Sequence, residues 1–82
     1  MKTTLEQWFY NKKHNTIVGL IYNDVRGRWP DGTLIETSKL RPMSMQVSSP
    51  KEGVEIFTLN STYLLGVHKL KRLNTKSNFN GE

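Results

Sequence analysis

The stretch that decides the fold is Thr16-Ile17-Val18-Gly19-Leu20-Ile21-Tyr22. Apolar side chains occupy both faces of this run, which is typical of a central strand that is covered on both sides. Gly19, in the middle of the run, permits a bend or a bulge. These residues predict a strand over residues 16–23, around which the rest of the chain is organised.

Upstream of this strand, the sequence predicts an N-terminal helix over residues 4–13. Two overlapping capping boxes begin at Thr3 and Thr4. Three apolar side chains share one helix face by i, i+3, i+4 spacing: Leu5, Trp8 and Phe9. Asn15 is placed to end the helix in the left-handed conformation. The apolar stripe is expected to pack on the sheet.

Downstream, turn-forming residues separate four further predicted strands, over residues 33–40, 43–48, 54–59 and 62–68. The predicted fold class is α+β, with the N-terminal helix packed on a small, strongly curved five-stranded antiparallel sheet or half-barrel. Residues 1–73 are expected to form a single domain and residues 74–82 a polar, frayed tail. The predicted core consists of Leu5, Trp8, Phe9, Ile17, Ile21, Ile35, Met45, Val47, Ile56, Tyr63 and Leu65.

The composition limits the classes of protein to consider. The 82 residues carry 12 Lys and Arg against 7 Asp and Glu, a net charge of +5. There is no cysteine, which excludes disulfides and thiolate metal sites. No apolar run reaches the ~20 residues that a membrane span needs, and the first residues lack a signal-peptide core. We therefore expect a soluble intracellular protein that does not contact membranes.

The sequence predicts neither an enzyme nor a metal or cofactor site. The two histidines, His14 and His68, are far apart and lack the context of a catalytic base or a metal ligand set. Glu36 and Glu55 are candidates for a cross-strand carboxylate pair, but such pairs are usually solvated. No glycine-rich phosphate loop is present.

The cations instead favour a binding function. The loop Arg26-Gly27-Arg28-Trp29-Pro30-Asp31-Gly32-Thr33 combines two arginines and a tryptophan with a predicted tight turn, in which Gly32 can take the positive φ that closes it. Further cations follow the next strand and the last one. The candidate binding residues are Arg26, Arg28, Trp29, Lys39, Arg41, Lys69, Lys71 and Arg72. Such cations bind phosphates, and an aromatic ring stacks on bases.

Several alternatives remain open at this stage. Trp29 is either a stacking residue or a plug at one end of the core, and Arg28 either binds a partner or pairs with Asp24 or Asp31. The basic surface fits nucleic acid or nucleic-acid-handling machinery. It also fits the acidic surface of a larger partner protein that the chain would bind and inhibit, with rim charges and one aromatic anchor. Self-pairing of edge strands leaves a homodimer open.

Two segments carry a resemblance to a known group of proteins. Asp31-Gly32-Thr33-Leu34-Ile35-Glu36-Thr37-Ser38 has the pattern Asp-Gly-Thr-x-Ile-x-Thr-Ser, and residues 58–66 have the pattern Thr-x-Asn-Ser-x-Tyr-x-Leu-Gly. Together they resemble small uncharacterised accessory proteins of bacteriophages and prophages over residues 17–66. The resemblance implies an accessory protein that acts in the bacterial cytoplasm and binds host machinery or nucleic acid. It implies no particular site residues.

Overall fold

Five β-strands build the sheet in the computed structural model, which describes residues 2–69. The strands are β1 Thr4–Asn11, β2 Thr16–Tyr22, β3 Thr33–Glu36, β4 Glu55–Phe57 and β5 Thr62–Leu65. A 3₁₀ turn at Met43–Met45 lies between β3 and β4. The predicted domain end at residue 73 and the predicted tail over residues 74–82 lie outside the described residues.

The sheet is mixed, with the strand order β3-β2-β1-β5-β4. The pairs β1/β2, β2/β3 and β4/β5 are antiparallel, whereas β1 and β5 run parallel. Backbone hydrogen bonds hold the parallel pair, with Leu64 N donating to Thr3 O at 2.8 Å and Gly66 N donating to Leu5 O at 2.8 Å. The prediction of an antiparallel sheet was therefore wrong for the parallel pair β1/β5.

The predicted N-terminal helix was also wrong, because residues 4–11 form strand β1. The register of β1 against β2 shifts between Glu6 and Phe9, so that two residues of β1 face the single Gly19 of β2. This β-bulge contains Gln7, whose φ is +49°. The extra residue brings Leu5 and Trp8, three apart, to the same face of a strand. The spacing that indicated a helix is the spacing that this bulge produces.

Gly19 makes the bulge sterically feasible. A Cβ at this position would lie 3.0 Å from Trp8 Cβ and 3.1 Å from Trp8 Cα. The residues expected to cap a helix have other partners, since Thr3 Oγ1 accepts a hydrogen bond from Val25 N at 3.0 Å. Asn15 does adopt the left-handed conformation, with φ +58°, but it closes the β1–β2 hairpin instead of a helix.

The sheet curls until the segment after β3 meets the end of β4. Leu40 and Thr58 form an isolated antiparallel bridge. Arg41 N donates to Phe57 O at 2.9 Å, and Leu59 N donates to Lys39 O at 3.0 Å. Leu40 packs against a core of buried side chains. These core residues are Leu5, Trp8, Ile17, Ile21, Ile35, Ile56, Tyr63 and Leu65.

Three residues of the predicted core lie elsewhere. Met45 and Val47 are 53% and 71% exposed, because residues 43–48 form the 3₁₀ turn and a bend and not the predicted strand. Phe9 is only half-buried, since it follows the bulge and points to the face opposite Trp8. The strand predicted over residues 33–40 ends at Glu36. Beyond it, the backbone N–H of Thr37 adds one more hydrogen bond to β2, to Ile17 O at 2.8 Å.

Candidate binding site around the β4–β5 turn

Residues 58–61 form the turn that joins β4 to β5, called here the β4–β5 turn. Thr58, which is 2% exposed, closes it. Thr58 N donates to Ser61 O at 2.9 Å, and the Thr58 hydroxyl donates to the same oxygen at 2.8 Å. The Thr58 hydroxyl also accepts from Ser61 N at 3.0 Å. These bonds fix the turn, and its carbonyl groups at positions 58–60 accept from other parts of the chain.

Two arginines from separate segments donate to these carbonyls. Arg26 Nη1, from the β2–β3 loop, donates to Asn60 O at 3.0 Å and to Ser61 Oγ at 2.9 Å. Arg41, which follows the bridge to β4, donates from Nε to Thr58 O at 3.0 Å and from Nη2 to Leu59 O at 3.3 Å. The turn therefore gathers two guanidinium groups that lie 15 residues apart in sequence.

Lys39 reaches the same turn through its backbone. Its carbonyl accepts from Leu59 N at 3.0 Å, and the hydroxyl of its neighbour Ser38 accepts from Asn60 N at 3.2 Å. The Lys39 side chain is exposed and makes no hydrogen bond or ion pair with the described residues. Lys39 thus carries an exposed charge on a residue whose backbone is bonded to the turn.

Arg28 also contacts the turn, but its charge is compensated. Its guanidinium donates to both carboxylate oxygens of Asp24, from Nε at 3.2 Å and from Nη2 at 3.1 Å. Weaker contacts of 3.4 Å run to Ser61 Oγ and to the hydroxyl of the buried Tyr63. Of the two open alternatives for Arg28, the structure has the ion pair with Asp24.

Asp24 organises the whole β2–β3 loop. Its side chain is 1% exposed and accepts from the backbone N–H groups of Arg26, Arg28 and Trp29 at 3.2, 2.7 and 3.2 Å. The Arg28 guanidinium, together with these backbone donors, lowers the pKa of Asp24 to about 2 against the effect of burial. The loop is consequently held in one conformation by an ionised carboxylate.

Trp29 lies outside the core and is 37% exposed. The Arg28 guanidinium carbon is 4.5 Å from the centroid of its ring, a cation–π geometry. The tryptophan of the core is Trp8, whose indole N–H donates to Gly66 O at 2.9 Å. The interpretation of Trp29 as a core plug was therefore wrong.

Three of the gathered cations have no acidic partner among residues 2–69: Arg26, Lys39 and Arg41. The ion pairs Lys2–Glu55, His14–Glu36 and Arg28–Asp24 involve none of these three cations. Because Arg26 and Arg41 donate only to neutral oxygens, their positive charge is not cancelled locally. The surface around the β4–β5 turn is basic for this reason.

The third predicted group of cations is not brought to this surface by any described contact. Lys69 Nζ lies 5.0 Å from the centroid of the Phe9 ring, on strand β1. Lys71 and Arg72 lie outside the described residues. The site thus contains the first two sequence clusters, and nothing places the C-terminal cluster with them.

Sequence reasoning missed the residues that assemble the site. In the sequence, Thr58, Asn60 and Ser61 stood out only as part of a resemblance. A Thr-x-Asn-Ser sequence between two strands does signal a tight, hydroxyl-capped turn. What it does not signal is that arginines distant in sequence will donate to its carbonyls, because that depends on how the sheet curls.

Glu36 and Glu55, considered as a carboxylate pair, bond to different partners. Glu36 accepts from the hydroxyl of Thr16 at 2.6 Å and lies 3.3 Å from His14 Nδ1, and these contacts lower its pKa. Glu55 pairs with Lys2 at 2.8 Å. Among the described residues, no three acidic or histidine side chains are grouped to hold a metal ion. The same residues contain no helix with the length and apolar character needed to cross a bilayer.

Comparison with protein-family models, curated proteins and solved structures finds no match to this chain.

Proposed function

We propose that this protein is a non-enzymatic binding protein whose basic surface around the β4–β5 turn engages nucleic acid, alone or within the machinery that handles it. The observation that carries the proposal is the convergence of Arg26, Lys39 and Arg41 on one turn without an acidic partner among the described residues. Phosphate groups supply the negative charge that such a surface lacks.

The way in which the arginines are held suits phosphate binding. A guanidinium group has five N–H donors in a planar fork. Arg26 and Arg41 use some of these donors on the turn oxygens, which restricts their side-chain freedom before any ligand arrives. The remaining donors are available to phosphate oxygens, and less rotamer entropy is lost on binding.

A direct test measures the affinity of the protein for a fluorescent oligonucleotide by anisotropy. Lys39→Ala is the most informative variant, because its side chain is exposed and makes no hydrogen bond or ion pair with the described residues, so that its loss should leave the fold intact. We expect Lys39→Ala to bind more weakly than the wild type. Lys13→Ala, an exposed lysine of the β1–β2 hairpin, makes the same charge change elsewhere and should retain the wild-type affinity.

The alternative is an effector that binds and inhibits a bacterial host protein through an acidic patch. Trp29 favours this alternative, because a partly exposed tryptophan stacked on an arginine is the kind of residue that anchors protein interfaces. The resemblance to phage accessory proteins is compatible with either function. A pull-down from bacterial lysate with and without nuclease separates them: a partner lost on nuclease treatment supports nucleic acid, and one that survives supports a protein target.

A further inference from the structure

A shallow cleft adjoins the basic turn. It has a volume of about 320 Å³, at the lower end of the range for small-molecule pockets. Its wall combines a guanidinium, an aromatic ring, two exposed apolar side chains and polar groups of the turn. The residues that matter here are Arg41, Met45, Phe57, Leu59, Asn60 and Thr62.

Phe57 is the aromatic wall of this cleft, and it is held firmly. The backbone N–H of Phe57 donates to Gln46 Oε1 at 2.9 Å, and its carbonyl accepts from Gln46 Nε2 at 2.7 Å and from Arg41 N at 2.9 Å. Met45 and Leu59 are each more than half exposed beside it. The backbone of Phe57 is thus fixed by three hydrogen bonds, and Met45 and Leu59 add exposed apolar surface beside it.

The polar side of the cleft has unused hydrogen-bonding capacity. The side-chain amide of Asn60 is exposed and bonds to no described residue, although its backbone is fully engaged. An amide presents a donor and an acceptor together, the combination that reads the edge of a nucleobase. Arg41 stands at the same cleft, where a phosphate attached to that base would lie.

We infer that the cleft receives one unpaired nucleobase of a single-stranded nucleic acid, with Phe57 and Met45 against its face, Asn60 at its edge and Arg41 on its phosphate. This inference rests on the proposed function and narrows the ligand to single strands. A base within a duplex is stacked and paired, so it presents neither a free face nor its pairing edge. Only an unpaired nucleotide can occupy the cleft without the cost of extrusion.

Trp29 offers a second platform on the other side of the turn. Arg28 stacks on its ring and reaches Ser61 Oγ, while Ser61 itself lines the cleft. The order along the surface is therefore Trp29, Arg28, the turn and the cleft. Alternation of aromatic platforms with cations is the arrangement by which proteins follow a single strand.

The test is a competition experiment in which an unlabelled strand of about 12 nucleotides, or the duplex of the same sequence, displaces a labelled single strand. We expect the single strand to compete on the order of tenfold better than the duplex, although the duplex carries more charge. Asn60→Ala and Phe57→Leu should each weaken single-strand binding several-fold and leave duplex binding unchanged.

Phe9→Leu is the matched control, since Phe9 is also a half-buried aromatic residue of the sheet but lies outside the cleft. It should bind as the wild type does, and thermal unfolding of each variant confirms that the fold is retained. Equal competition by single strand and duplex would overturn the inference while leaving the proposed function standing. Unchanged binding by Asn60→Ala and Phe57→Leu would overturn it as well. Failure of both nucleic acids to bind would overturn the proposed function and this inference with it.

Discussion

The carboxylate of Asp24 accepts hydrogen bonds from both the backbone and the guanidinium of Arg28, with the backbone N–H at 2.7 Å. The Asp24 side chain therefore fixes both the backbone and the guanidinium group of Arg28. This relationship holds Trp29 under the guanidinium and keeps the β2–β3 loop against the β4–β5 turn. It also separates the cations of the site into one that is neutralised and three that are not.

Replacing Asp24 with asparagine should destabilise the protein at neutral pH. The pKa of Asp24 is lowered from its ordinary value of 3.8 to about 2 in the folded protein, so the ionised carboxylate stabilises the folded state. The contribution, of about 1–2 kcal/mol, is fully present above pH 4 and is lost as the pH falls toward 2. Denaturant unfolding of wild type and Asp24→Asn from pH 7 to 2 measures it. A difference in stability that stays constant over this range would contradict the assignment.

Arg28→Ala should also destabilise the protein, because it leaves the buried Asp24 carboxylate without its guanidinium partner. We expect a loss of about 1–3 kcal/mol. The effects of Arg28→Ala and Asp24→Asn should not add, since each removes the same interaction. A double-mutant cycle measured by chemical denaturation gives the coupling energy. Strict additivity would mean that the two side chains act independently.

The two tryptophans should respond differently to truncation. Trp8→Ala removes a side chain that is 2% exposed from the core and should cost about 3–5 kcal/mol, enough to unfold so small a domain. Trp29→Ala should leave the fold intact and weaken ligand binding. Circular dichroism and thermal unfolding distinguish these outcomes. Unfolding of Trp29→Ala would restore the interpretation of this residue as a plug.

Gly19→Ala tests the bulge in β1. The added Cβ would lie 3.0 Å from Trp8 Cβ and 3.2 Å from Glu6 O, so the backbone of β1 must move. Overpacking of this kind costs about 1–3 kcal/mol. Thermal unfolding reports the loss. Val18→Ala, at the neighbouring half-buried position of β2, lacks this clash and should produce only the smaller loss of a partly buried side chain. Equal stability of Gly19→Ala and the wild type would argue against the close approach of the two strands.

The sequence pattern predicted most of the core residues correctly, but not the elements that carry them. Residues such as Ile17, Ile21, Ile56 and Leu65 are buried as predicted, since a long apolar run or a clean alternation identifies an inward face without reference to topology. Leu5 and Trp8 are buried too, but on a strand. A one-residue bulge converts the period of a strand into the i, i+3 spacing of a helix, and the glycine that permits it lies on the other strand.

The alternation of apolar and polar residues over residues 43–48 predicted a strand that the protein does not form. Met43, Met45 and Val47 alternate with polar residues, yet all three are exposed. Strand β3 pairs with β2 and strand β4 pairs with β5, so neither pairs with this segment. The Gln46 side chain instead makes the two hydrogen bonds to Phe57 that a paired strand would make.

For the site, composition identified which cations to consider. Which of them remain uncompensated was decided by the Asp24–Arg28 pair, one of two pairings that the sequence allowed.

The salt dependence of single-strand binding tests the central claim most directly. If Arg26, Lys39 and Arg41 contact phosphates, log K for the wild type should fall linearly with log[salt], with a slope of about −0.7 for each phosphate neutralised. Arg26→Ala and Lys39→Ala should each make the slope shallower by about one contact, whereas Lys13→Ala should leave it unchanged. Binding that does not depend on salt, or equal slopes in all of these variants, would contradict the account of the β4–β5 turn as a phosphate-binding surface.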